Sequence, residues 1–170
     1  MEIKEAIQMR RSVRTFEPTP VEREKVEEIL KAAMQAPSAH NQQPWEFLVV
    51  EDQEKLKELS QVHQYAAPLA GAPVGIVVLV NRNRLKAEAF WQQDIAAAVE
   101  NMMLQAVDLG LGTLWMGIAP DEENMASVKQ MCQLPDEVEA FGLFAVGYSD
   151  RNRFKDRFDA SRIHWGTYKE

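Results

Sequence analysis

The sequence predicts a mixed α+β fold in one domain spanning residues 1–170, and three observations carry that reading. Two segments show the apolar spacing of helices, at about residues 22–36 and 88–109. Between and after them lie short β-branched and aromatic runs of strand type. No G-x-G-x-x-G follows any strand, no G-x-x-x-x-G-K-[ST] occurs, and the chain holds only 8 glycines, which argues against a Rossmann or P-loop protein.

Taken in order, residues 3–9 read as a short helix ending at Arg10-Arg11-Ser12. Val26, Ile29, Leu30 and Ala33 lie on one helical face, with Glu22 and Glu24 in the first turn, and Pro37 stops that helix. Trp45–Val50 reads as a strand and residues 53–61 as another short helix. Pro73–Val80 is continuously apolar, as a central strand buried on both faces should be. The helix at 88–109 is apolar around most of its circumference from Ile95 onward, so a neighbouring subunit is its natural cover. Gly110 and Gly112 are expected to end it. Strands are expected at Thr113–Ile118 and Ala140–Tyr148, with a helix at 121–132 between them and an irregular polar tail after them.

Composition bounds the function. A net charge of −7 argues against a general nucleic-acid binder. No stretch reaches the roughly 18 apolar residues of a membrane span, and the first residues lack a signal-peptide core. The single cysteine, Cys132, sits in a helical run and reads as a packed thiol; no cysteine–histidine spacing fits zinc. The absence of a disulfide framework fits the cytoplasm.

Four segments could carry chemistry. Arg10-Arg11-Ser12-Val13-Arg14 offers three guanidinium groups for a phosphate, or is a solvated turn. Residues 36–45, with Pro37, Ser38, Ala39, His40, Asn41, Gln42 and Gln43, suit the donor–acceptor edge of a heteroaromatic ring, or equally a polar loop with its own turn bonds. Residues 109–117 contain Trp115, Met116 and Gly117, where backbone can approach a ligand closely or simply form a core strand. Lys155-Asp156-Arg157 sets two cations on one side of an extended chain, or belongs to a solvated tail. Asp94 reads as structural, either a helix N-terminal carboxylate or the acceptor of a backbone amide across a subunit boundary. The tryptophans read as core or interface residues rather than ring-stacking partners.

The order of these four segments, above all Pro37-Ser38-x-x-Asn41-x-Gln43-Pro44-Trp45, resembles the nitroreductase family of flavoproteins from about Ile3 to Trp165. The resemblance implies a three-layer α/β/α fold with a mixed, mainly antiparallel sheet, in an intertwined homodimer with FMN at the interface. It implies that Arg10, Arg11, Ser12, Arg14, Lys155 and Arg157 come from one subunit, and Pro37, Ser38, Ala39 and Asn41 from the other. Residues matching Arg10, Lys155 and Arg157 hold the phosphate, the one matching Arg14 lies by the flavin N1/O2 edge, and backbone at Met116-Gly117 lies near N5 and O4. Only Gln64 matches the polar pair that longer members place before the third segment. The helix at 22–36, about 22 Å long, separates the first two segments, which favours two chains around one flavin unless the linker before it folds back.

The implied activity is ping-pong transfer of two electrons from NADH or NADPH through the flavin to a nitroaromatic, quinone or similar small-molecule acceptor. No catalytic side chain is required beyond Arg14 tuning the flavin, and neither nucleic acid nor membrane is a partner. Reductive dehalogenation and a flavin sensor or store without turnover are the competing readings on the same scaffold.

Overall fold

A computed structural model of the chain describes residues 1–150, 154 and 156–168. The elements run α1 (Ile3–Met9), α2 (Arg23–Met34), β1 (Trp45–Val50), α3 (Gln53–Leu59), β2 (Val74–Asn81), α4 (Trp91–Asp108), β3 (Gly112–Gly117), α5 (Glu122–Cys132) and β4 (Val138–Gly147). The strands form one sheet in the order β1-β2-β4-β3, each neighbour antiparallel. A parallel bridge from Ser12 to Thr113 on the outer edge of β3 makes the pairing mixed.

Strand β2 shows why the sheet lies between two helical layers. Its side chains alternate, and both sets are apolar. Ile76, Val78 and Val80 face a core with Val26 and Ile29 of α2 and Ile95, Val99 and Met102 of α4. Val77 and Leu79 face a second core with Leu56 and Leu59 of α3 and Val128 of α5. The three-layer α/β/α arrangement follows directly. The β2–β4 register shifts between Val78 and Leu79, skipping Phe141, a bulge that apolar patterning does not reveal.

Three sequence expectations change. The helix read from residue 88 begins as a 3-10 turn at Glu88–Phe90, and α4 starts at Trp91. The backbone before it is occupied: the N–H groups of Lys86 and Ala87 donate to Gln42 Oε1. Gly110 follows the helix with φ of 76°, as a helix-ending glycine should, but Gly112 opens β3. The circumference of α4 is also covered largely within one chain, by α1, α2 and the sheet. Its outer stripe, Gln93, Ala96, Ala97, Glu100 and Leu104, stays exposed or half-buried. Only that stripe is left for a partner to cover, not the whole helix.

Gly112 matters for position rather than for the helix end. A Cβ there would lie 2.8 Å from Val13 Cγ2 and 3.0 Å from Val13 Cβ. Its absence lets the segment after α1 close on β3, where the Val13 N–H donates to the Thr113 carbonyl at 2.8 Å. Gly112→Val should lower stability by about 1–3 kcal/mol, the usual cost of overpacking, and shift the Arg10–Arg14 segment. Thermal melting checks the first effect and protease sensitivity after Arg10, Arg11 and Arg14 the second.

Candidate functional site

The loop between α2 and β1 is held under strain. His40, Asn41 and Gln43 have φ of 50°, 50° and 45°, three non-glycine residues in the left-handed region within four positions. Such backbone costs on the order of 1 kcal/mol or more per residue unless its surroundings impose it. A buried carboxylate imposes it here. Asp94, 5% exposed in the first turn of α4, accepts the Ala39 N–H at 2.8 Å on Oδ1 and the Gln42 side-chain amide at 2.5 Å on Oδ2. The Gln42 amide also donates to the Ala87 carbonyl at 3.2 Å, and its oxygen accepts from Lys86 and Ala87, which exhausts its hydrogen-bonding capacity. Ser38 Oγ accepts the Gln43 N–H at 3.0 Å. Asp94 thus accepts a backbone amide of its own chain, not one across a subunit boundary. Pro37 and Asn41 are exposed and Ser38 and Ala39 half-buried, so this loop presents polar groups outward from a rigid base.

The Arg10–Arg14 segment meets a different part of the molecule. Through Ser12 and Val13 it lines the edge of β3, with Ser12 and Arg14 exposed and the Arg14 guanidinium 3.5 Å from the Ser12 carbonyl. The linker folds back along the sheet, with the Glu17 N–H donating to the Tyr148 carbonyl, so α2 is not the spacer that the sequence made it. Arg10, Arg11 and Arg157 line one cleft of about 330 Å3, together with Ile7, Gln8, Glu100, Phe154 and Asp156. The first and fourth basic segments therefore meet in one chain; Lys155 lies outside the described residues. The Glu100 carboxylate lies 3.6 Å from Arg10 Nε, and burial pushes the Glu100 carboxyl up while Arg10 pulls it down.

The end of β3 joins this region to a turn. Met116 points into the α3/α5 core and is 3% exposed, so its side chain is out of a ligand's reach, whereas Gly117 beside it is exposed. Trp115, on the opposite face, is 36% exposed, its ring against Phe141 and its indole nitrogen close to where a Cβ on Gly142 would stand. Trp115 is thus not a core residue, whereas Trp45 and Trp91 are. His63 bridges to Gly117, its Nε2 lying 3.0 Å from the Gly117 carbonyl, while its Nδ1 accepts the Tyr65 N–H at 3.2 Å. Those partners specify one tautomer, with the proton on Nε2. Gln64, exposed in the same turn, is thereby fixed relative to Gly117. Nothing in the sequence marks His63, since its partner lies 54 residues away.

The first, third and fourth segments, with Gln64, are thus linked within one chain, while the Asn41 loop is anchored elsewhere. The loop meets α4 at Asp94 and the basic segment meets it at Glu100. Six residues separate these anchors, about 9 Å along the helix and about 120° around it. The loop and the cleft therefore open on different sides of α4.

Other features compete poorly. A larger cavity of about 510 Å3, lined by Arg82, Trp91, Pro120 and Lys129 among others, contains none of the sequence-predicted residues. Arg82 there is paired with Glu88 and Glu139, and Lys129 lies near Asp136. Among the described residues no group of three or more histidine, cysteine or acidic side chains could hold a metal, and no helix is long and apolar enough to cross a membrane. Burial raises the Cys132 thiol pKa, with Lys55 opposing the shift, which fits a packed thiol rather than a nucleophile.

The model of the nitroreductase family matches residues 7–67 and 62–148. The chain belongs to the nitroreductase family. A relative provisionally named NADH dehydrogenase/NAD(P)H nitroreductase, from Methanothermobacter thermautotrophicus, is 38% identical over 96% of this chain and 86% of its own length. The structure of a provisionally named NADH oxidase from Clostridium acetobutylicum superposes with a TM-score of 0.94 at 46% identity, over 96% of this chain and 99% of the other. A provisionally named nitroreductase from Desulfovibrio desulfuricans, solved in complex with FMN, superposes with a TM-score of 0.84 at 28% identity, over 100% and 99% of the two chains. The nitroreductase fold is thus shared over essentially the whole chain.

Proposed function

We propose that this nitroreductase-family chain is a single-domain, cytoplasmic FMN-dependent NAD(P)H oxidoreductase, acting as a homodimer with a flavin site shared between subunits. The observation that carries the reading is the cleft where Arg10, Arg11 and Arg157 converge. Three guanidinium groups from two distant segments suit a phosphate monoester, which they can meet with charge-assisted, bidentate hydrogen bonds. By the family resemblance, Ser12 and Lys155 are assigned to the same phosphate. The FMN complex of the Desulfovibrio relative and the NAD(P)H-linked name of the Methanothermobacter relative support the cofactor and the donor.

Bound FMN supplies the two-electron relay from NADH or NADPH to a nitroaromatic, quinone or similar acceptor. The protein's part is to bind, orient and tune. Arg14 puts a fixed positive charge at the edge where reduction adds negative charge, an electrostatic role of the kind found at oxyanion sites. Trp115, the backbone at Met116 and Gly117, and Gln64 border the opposite edge. Gly117 has no side chain to obstruct close approach. Pro37, Ser38, Ala39 and Asn41 serve the partner's flavin, which matches their anchorage away from the cleft of their own chain. Exposed apolar side chains support the dimer: Phe158, Trp165 and Tyr168 are 74%, 87% and 81% exposed in one chain, and a partner subunit would cover them.

Purified protein reconstituted with FMN should retain one flavin per chain and oxidise NAD(P)H when a nitroaromatic or quinone is supplied. A chain that retains no flavin overturns the reading; retained flavin without turnover overturns its catalytic half. His63 offers a finer check. His63→Leu should weaken FMN by roughly three- to ten-fold, the worth of one or two hydrogen bonds, and His63→Gln should recover part of that loss, as read by flavin fluorescence.

A further inference from the structure

We propose that Glu100 competes with the cofactor phosphate for Arg10 and so sets how tightly this protein holds a phosphate-monoester cofactor. The inference rests on the FMN reading given above. Glu100 projects from α4 into the cleft lined by Arg10, Arg11 and Arg157, its Oε1 3.6 Å from Arg10 Nε. The Arg10 side chain is only 20% exposed, so its charge is largely withdrawn from water, yet 3.6 Å is too long for a hydrogen bond. A phosphate entering the cleft offers Arg10 a shorter and stronger partner, but it then stands beside a carboxylate of like charge.

The charges in the cleft bear this out. Among the described residues lining it, Arg10, Arg11 and Arg157 are cationic, and Glu100 and Asp156 are anionic. Asp156 is engaged elsewhere, accepting the Phe158 N–H at 3.0 Å. Glu100 stands close to Arg10, one of the guanidinium groups of the site. Burial already disfavours its charged form, with Arg10 as the opposing influence. Phosphate binding draws Arg10 away, so Glu100 must turn outward or take up a proton, and either change weakens the observed affinity.

The test compares FMN with riboflavin, which has the same ring system and no phosphate, on wild-type protein and on Glu100→Gln, which keeps the shape and removes the charge. The expected result is an FMN dissociation constant about two- to five-fold lower in Glu100→Gln, the range of a partly exposed ion pair, with riboflavin unchanged. Glu100→Ala should shift FMN in the same direction, so the result does not hang on one variant. Unchanged or weaker FMN binding in both variants overturns the proposal, because Glu100 then orients Arg10 for the phosphate instead of competing with it. Equal tightening of riboflavin also overturns it, since the effect would not act through phosphate. A wild-type protein that binds neither compound overturns the flavin reading and the proposal together, an outcome distinct from normal wild-type binding that the substitutions leave unmoved.

Discussion

Replacing Asp94 with alanine should lower stability by about 3 kcal/mol, or about 6–12 °C in melting temperature for a chain of this size, and weaken flavin binding with it. The carboxylate is 5% exposed and accepts two hydrogen bonds from the loop it supports. Its removal leaves the Ala39 N–H and one N–H of Gln42 desolvated without an acceptor, at about 1–3 kcal/mol each. The three left-handed residues His40, Asn41 and Gln43 then lose the contact that imposes their conformation. Asp94→Asn should fall between, since an amide oxygen can still accept from Ala39 while its NH2 faces the Gln42 donor. The cofactor loss should exceed that of a control substitution in the α3/α5 core, such as Val128→Ala, because Asp94 holds the loop and Val128 does not. Melting of Asp94→Ala within a degree or two of wild type would show that the loop is held by other means.

The second large effect is at the other end of the site. Arg10→Ala combined with Arg157→Ala should weaken FMN by at least about a hundred-fold, since each charge-assisted bond to phosphate contributes about 1.5–3 kcal/mol. Riboflavin should bind both proteins alike. Stability should scarcely change, because the described ion pair of Arg10 is long and partly exposed. Raising the salt concentration should weaken FMN binding to the wild-type protein more than to the double variant, as screening acts on the charges that remain. Equal losses of FMN and riboflavin would place the arginines away from the phosphate. The two substitutions, Asp94→Ala and Arg10→Ala/Arg157→Ala, thus act on the proposed flavin site by different routes, one through the conformation of a loop and the other through the charges of the cleft.

Most of the fold was legible because its elements are locally consistent. Trp45–Val50 is a strand within the bounds its β-branched and aromatic residues set, and the unbroken apolar run ending at Val80 is the buried centre of the sheet. Asp52 and Asp121, as side-chain caps, open the two helices of the second layer. What could not be read depends on partners distant in sequence. The bulge at Phe141 is a property of pairing with β2, and the role of Gly112 is set by Val13. The anchorage of the backbone ahead of α4 comes from Gln42, 44 residues before Lys86. The same holds for the site. Residue types and order identified the segments, but the placement of Trp115 at the surface, the clasp of His63 on Gly117 and the Asp94–Gln42 pair appear only once the chain is folded. The apolar residues around most of α4 point in sequence to a neighbouring subunit, yet α1 and α2 cover much of them within one chain.

The central claim is that each flavin lies between the basic cleft of one chain and the Asn41 loop of another. Mixed dimers test it most directly. One chain carries Arg10→Ala/Arg157→Ala and its partner Asp94→Ala, with different affinity tags so that only the mixed species is recovered. A shared site predicts that the mixed dimer holds one tightly bound FMN, because the intact cleft of one chain faces the intact loop of the other, while both parent homodimers bind FMN only weakly. A mixed dimer that binds FMN as weakly as its two parents would contradict the account, since it would mean that each site is built within a single chain.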